Sequence, residues 1–175
     1  ISDGTDVFVP GILQHVERAG IHSGDSIAVY PTFSLPEEIC QEAVAATRAL
    51  AQSLQVRGFI NIQFVYYHGR LYVLEANPRA SRTVPLLSKV TGVPLVGLAT
   101  QIMLGRNLAD LELAPGLLPP RDLFAVKAPV FSLGKLGQVD PRLGPEMKST
   151  GEVLGIDKSL PAAMAKALIA SGQVL

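Results

Sequence analysis

The sequence predicts an α+β fold in which helices cover an antiparallel or mixed sheet. Three observations point there. Segments rich in β-branched and aromatic residues alternate with segments of helical spacing. The middle of the chain, residues 58–75, has two strand-like runs around Gly69 and reads as a hairpin. The 175 residues are 48% hydrophobic and 17% charged, which is the length and composition of one ordinary globular core.

Residues 6–18 (D-V-F-V-P-G-I-L-Q-H-V-E-R) are apolar and β-branched but broken by Pro10-Gly11, which predicts two short strands or one kinked strand. A loop, A-G-I-H-S-G-D-S, follows. Its glycines flank His22-Ser23 and let the backbone approach a ligand closely. A strand is expected over 26–30. The clearest helix begins in T-F-S-L-P-E-E, with Ser34 as its cap, Pro36 in its first turn and Glu37 three residues after the cap. Ile39, Ala43, Ala46, Leu50 and Leu54 keep helical spacing until Arg57-Gly58 ends it. Beyond the hairpin and Pro78, short helices are predicted over 84–90 and 95–104, the second opened by Pro94 and closed by Gly105. Residues 112–121 hold three prolines and a glycine and predict a loop. A strand is expected over 123–131 with Lys127 inside it, another over 152–156, and Ser159 caps a final helix containing Met164 and Leu168.

Fifteen basic and fifteen acidic residues cancel, so no overall field favours nucleic acid or an anionic membrane. An anion must therefore be bound locally. No apolar run approaches the ~18 residues needed to span a bilayer, and no basic-then-apolar leader opens the chain, which makes the cytoplasm the default location. Cys40 is the single cysteine and can form no internal disulfide; far in sequence from any His or Asp, it reads as a buried core thiol rather than a nucleophile. Opening on Ile1 without an initiator Met, the chain reads as a piece of something larger. Neither a P-loop nor a G-x-G-x-x-G motif is present.

The richest stretch is N-I-Q-F-V-Y-Y-H-G-R-L-Y-V-L-E-A-N-P-R-A-S-R, residues 61–82. Strand residues two apart share a face, so Glu75 and Asn77 present their oxygens on one side, with Arg79 and Arg82 just downstream. If the turn takes three residues with Gly69 left-handed, Gln63 pairs with Val73 and joins the face of Glu75 and Asn77, diagonal to Glu75; a two-residue turn would send it to the opposite face. Such hard oxygen donors suit Mg²⁺ or Mn²⁺, which keep waters and share their remaining positions with substrate phosphates. Arg79 and Arg82, three apart, leave one side of a helical turn and can grip phosphoryl oxygens bidentately. The plainer reading, a strand end before an Asn-Pro turn, accounts for Glu75 and Asn77 but not for the arginines. His22 is either an exposed loop histidine or a contact to a transferring phosphoryl group. Lys127 is either an edge-strand lysine reaching solvent or a buried cation paired with Glu146 or Glu152, the ion pair being preferred.

Taken together, H-V-E-R-A-G-I-H-S-G-D-S, N-I-Q-F, E-A-N-P-R-A-S-R-T-V-P-L-L-S-K-V-T-G-V-P and G-P-E-M-K-S-T-G-E-V-L-G-I-D resemble the large subunit of carbamoyl-phosphate synthase, an ATP-grasp enzyme, along essentially the whole chain. That subunit has two homologous synthetase halves, and A-S-R-T-V-P and M-K-S-T-G-E-V-L-G-I-D resemble the second, which phosphorylates carbamate with ATP. The resemblance implies that residues 1–158 are the C-terminal subdomain of an ATP-grasp unit and 159–175 a terminal helix leading to an effector domain. It implies that Gln63, Glu75 and Asn77 hold two Mg²⁺ or Mn²⁺ ions and that Arg79 and Arg82, with Asn77, act on the phosphoryl group in flight. Gly20, Ile21, His22 and Ser23 would lie along ATP, and His15, Arg18, Ile21 and Ser26 would hold K⁺ through backbone oxygens.

The partners it implies are the rest of the large subunit, namely an upstream ATP-grasp subdomain, the first synthetase half and the effector domain, together with a glutaminase small subunit. The pathway it implies is glutamine-dependent carbamoyl-phosphate synthesis for arginine and pyrimidines, the isolated piece being inactive. Ala128 stands where some bacterial members carry an acidic residue that binds an activating amine, which speaks against ornithine regulation. Two other readings compete: a structural or oligomerisation module without activity, and another ATP-grasp ligase such as a biotin carboxylase, which shares the Glu-x-Asn-x-Arg ending. The long H-S-G-D-S and M-K-S-T-G-E matches argue against the latter.

Overall fold

In a computed structural model, which describes residues 1–132 and 142–172, the chain divides into two compact units. One comprises Ile1–Ile12 and Ser34–Pro120, the other Leu13–Phe33 and Arg121–Leu175.

The first unit holds short strands β1 (Ser2–Asp3), β2 (Phe8–Val9), β5 (Arg57–Gly58) and β8 (Gly116–Leu117), the hairpin β6 (Asn61–Tyr67) and β7 (Arg70–Asn77), and helices α1 (Glu37–Ser53), α2 (Thr83–Thr91) and α3 (Leu95–Met103). β1 pairs antiparallel with β5, and β2 pairs parallel with β8. The strand β8 lies inside the stretch expected to be a loop, because Gly116 adopts φ +101° and the chain needs only two residues to add a parallel rung. Val7, Ala51 and Val56 are buried together, packed by Val9 and Ile60. Cys40 is buried on α1, as its sequence context suggests.

Helix α1 begins differently from expectation. Its N-cap is Pro36, at φ −58° and ψ 147°, and no side chain caps it. Ser34 stands two residues before the N-cap, so the S-x-x-E pattern does not mark where the helix begins. Glu37 and Glu38 instead place negative charge in the first turn, where the helix dipole favours it.

The second unit is a four-stranded antiparallel sheet ordered β10 (Gly151–Asp157), β9 (Phe124–Val130), β4 (Ala28–Tyr30), β3 (Gln14–His15), covered by α4 (Leu160–Ala170). Its core is Val29, Val126, Ala128, Ala163 and Ala167. Ser159 caps α4 as expected, accepting a hydrogen bond from the Ala162 N–H at 3.4 Å. Gly155 lets α4 approach β10 closely, since a Cβ there would fall 2.2 Å from the Ala163 carbonyl oxygen.

Candidate functional site

The hairpin turn takes two residues, not three. Tyr67 pairs with Arg70, and His68 and Gly69 adopt φ +47° and +74°. Positive φ at both central positions is the turn whose twist matches the strands it joins. On a flush ladder this turn would set Gln63 opposite Leu74 and send Glu75 to the other face. That does not happen. Phe64 pairs with Val73 but Gln63 pairs with Glu75, the register slipping by one between Gln63 and Phe64 and leaving Leu74 as the extra residue of a bulge. Gln63 thus faces Glu75 directly rather than diagonally, and Asn61 faces Asn77 on the next rung of the same face.

Pro78 then turns the chain. The Arg79 N–H donates to the Asn77 carbonyl at 2.8 Å, and Arg82 forms the N-cap of α2 in helical conformation. Arg79 and Arg82 are exposed, and Arg79 Nη1 donates to the Ala80 carbonyl at 3.0 Å. Sequence reading missed two members of this cluster. Asn61 Oδ1 accepts from the Ser81 hydroxyl at 3.3 Å, and the Ser81 and Thr83 hydroxyls lie 2.7 Å apart. The alternation of 61 with 63 pointed to Asn61; nothing in the sequence pointed to Ser81.

Among the described residues no group of three or more His, Cys, Asp or Glu side chains could hold a metal. The hairpin end offers one carboxylate, Glu75, and the amide oxygens of Gln63 and Asn77. Hard oxygen donors with a single negative charge fit Mg²⁺ or Mn²⁺ whose other positions are filled by phosphate and water.

The remaining sequence candidates lie in the second unit. His22 is half-buried; its Nδ1 accepts from the Gly24 N–H at 3.0 Å, so the proton of the neutral ring sits on Nε2. Its own N–H donates to the Gly144 carbonyl at 2.8 Å. Asp25, which sequence reading passed over, holds this loop. Fully buried, it accepts the N–H groups of Lys148 and Ser149, each at 2.8 Å. Burial pushes the Asp25 carboxyl up, but the Ser149 and Lys148 donors outweigh it and hold it below the usual carboxylate range. Thus M-K-S and H-S-G-D-S, two of the sequence's longest motifs, form one structure.

Lys127 is buried rather than reaching solvent from an edge strand, since β9 lies between β10 and β4. Its ammonium donates to the carbonyls of Ser23 at 3.1 Å, Gly24 at 3.3 Å and Ser26. Of the four residues expected around K⁺, Ser26 therefore already gives its carbonyl to an ammonium. The Arg18 carbonyl accepts the Ile21 N–H at 3.5 Å, and His15 lies on β3 opposite Ala28. Burial, then the charge of Lys127, pushes the His15 imidazole below its usual value. Glu17 accepts the Ile27 N–H at 2.7 Å, and burial raises its carboxyl.

Solved structures of similar fold include the biotin carboxylase domain of a single-chain bacterial carboxylase (TM-score 0.67, 21% identity, covering 97% of this chain and 45% of that one). Another is a single-chain, multi-domain long-chain acyl-CoA carboxylase (TM-score 0.63, 21% identity, 82% and 18% covered). The chain thus shares the fold of part of these carboxylases, with small sheets covered by helices and a hairpin ending in Glu-x-Asn-x-Arg. At sequence level, residues 5–111 match the family model of the carbamoyl-phosphate synthase L chain, ATP binding domain. The carbamoyl phosphate synthase large chains of Thermomicrobium roseum and Clostridium acetobutylicum are 60% and 54% identical over 172 residues. The chain belongs to the carbamoyl-phosphate synthase large-chain family of ATP-grasp ligases. It spans 16% of the length of those two relatives and 98% of its own.

Proposed function

We propose that this chain is the metal-bearing part of the ATP-grasp unit that phosphorylates carbamate to carbamoyl phosphate. One observation carries the proposal: the bulge at Leu74 sets Gln63 against Glu75 and Asn61 against Asn77 on one face, immediately before Arg79 and Arg82. In phosphoryl transfer, catalysis is mostly positioning and neutralisation of charge, so no protein nucleophile is required. A carbamate oxygen attacks the γ-phosphorus of ATP, the bond to the β-phosphate oxygen breaks, and ADP leaves. Gln63, Glu75 and Asn77 would hold the divalent ions, which supply charge neutralisation at the phosphates. Arg79 and Arg82 would grip the oxygens of the group in transit; in the second unit, taken by itself, Gly20, Ile21, His22 and Ser23 would be nucleotide contacts, with the Nε2–H of His22 as a donor. The K⁺ expected at His15, Arg18, Ile21 and Ser26 would share the Ser26 carbonyl with the Lys127 ammonium, which weakens that site. Other domains of the large chain and a glutaminase partner would complete the glutamine-dependent reaction, and the piece alone would be inactive.

The test uses the full-length large chain carrying this segment. ATP synthesis from ADP and carbamoyl phosphate is expected to fall at least about 100-fold in Glu75→Gln, with weakened MgADP binding. Equal MgADP affinity by calorimetry in the two proteins sinks the metal assignment.

A further inference from the structure

We infer that Ser81 is a positioning residue that turns the Asn61 amide, so that its NH₂ group faces the phosphoryl group while its oxygen is held from behind. The inference rests on the reading of the hairpin end as the phosphate site. Asn61 stands on the rung beyond Gln63 and Glu75, directly across from Asn77. Its Oδ1 accepts the Ser81 hydroxyl proton at 3.3 Å. A serine hydroxyl has one proton to give, so in the 2.7 Å contact between Ser81 and Thr83 the donor is Thr83. The result is a directed chain, Thr83 to Ser81 to Asn61. With its oxygen engaged by that chain, Asn61 presents two N–H donors to the face where Gln63, Glu75 and Asn77 present oxygens.

Donors and acceptors on one face suit a metal-bound phosphate, whose cation needs the oxygens and whose free oxygens need the N–H groups. Ser81 also lies between Arg79 and Arg82, and its carbonyl accepts the Val84 N–H at 3.1 Å as α2 begins. One residue thereby joins the arginine-bearing segment to β6. Outer partners of this kind orient the groups that touch ligand without touching it themselves.

The experiment compares Ser81→Ala, Ser81→Thr, Asn61→Ala and the Ser81→Ala/Asn61→Ala double variant in the full-length large chain. Its readouts are kcat and KM for ATP synthesis from ADP and carbamoyl phosphate, and MgADP affinity by calorimetry. Ser81→Ala is expected to lower kcat roughly tenfold and weaken MgADP binding about threefold, leaving the melting temperature unchanged, and Ser81→Thr to recover most of both losses. In the Asn61→Ala background, Ser81→Ala should change neither readout, because Ser81 acts through Asn61. Ser81→Ala equal to wild type, or losses that add in the double variant, overturns the inference. A Glu75→Gln chain with full activity overturns the site reading instead, so the two failures are distinguishable.

Discussion

Gln63 and Glu75 face one another across the β6–β7 ladder because Leu74, beside Glu75, pairs with nothing on β6. The two-residue turn and the bulge each displace the register, and their combination puts the carboxylate and the amide on one face. Deleting Leu74 removes the bulge and leaves a flush ladder in which Phe64 still meets Val73 and Gln63 still meets Glu75. We predict MgADP affinity within about threefold of wild type for this deletion in the full-length chain, because a bulge is a local kink whose removal keeps the pairing. A loss comparable to that of Glu75→Gln, read by calorimetry, would show that the kink itself aims the carboxylate.

Asp25 is a buried carboxylate fed by two backbone donors. Since its folded pKa is depressed, its contribution is present above the unfolded pKa of about 4 and is lost as pH falls through the lower folded value. Asp25→Asn swaps one acceptor oxygen for a donor and should cost about 2–3 kcal/mol at neutral pH. Urea denaturation from pH 7 to 3 is expected to show the gap between wild type and variant shrinking only at the acid end. A gap that stays constant with pH contradicts the assignment.

Lys127 fixes three carbonyls of the loop that carries His22. Lys127→Met deprives those oxygens of their shared donor and is predicted to cost about 3 kcal/mol. Amide exchange measured by mass spectrometry should speed up across residues 20–26 more than across α4. Unchanged protection there would count against the ammonium as the clamp.

Gly155 is the contact point of α4 with β10. A methyl group at this position meets the Ala163 carbonyl oxygen at 2.2 Å, the Ala167 nitrogen at 2.6 Å and the Ala167 Cα at 3.1 Å, all backbone. Gly155→Ala must push the helix off the sheet and should cost about 3 kcal/mol, lowering the melting temperature by several degrees. Gly144→Ala, where a Cβ meets nothing within 4 Å, is the control and should leave the melting temperature in place.

What the sequence revealed and what it hid divide along a physical line. Hydrophobic spacing located α1, the hairpin, α2, α3, β9, β10 and α4, since local periodicity determines which residues can be buried. The Ser34 cap failed because a capping pattern marks where a cap could form, and Pro36 at φ −58° took the position. The bulge was invisible because Leu74 has the chemistry of any strand residue. Asp25 and the carbonyl partners of Lys127 were unreadable for another reason: the donors of Asp25 lie 123 and 124 positions away, and the nearest carbonyl bound by Lys127 is 101 away. Glu75 and Asn77 stood out because the strand period alone sets them on one face, and Arg79 and Arg82 because they follow within five residues.

The bulge also divides the hairpin into two stretches of ladder. A bulged strand bends and twists more sharply at the unpaired residue, and its ladder is interrupted there. On one side of Leu74 lie the rungs carrying Asn61, Gln63, Glu75 and Asn77; on the other lie Tyr66, Tyr67, Tyr72 and the His68-Gly69 tip, whose three tyrosines are exposed. Tyr66, Tyr67 and Tyr72 thus belong to a different stretch of ladder from the one that sets Gln63 against Glu75.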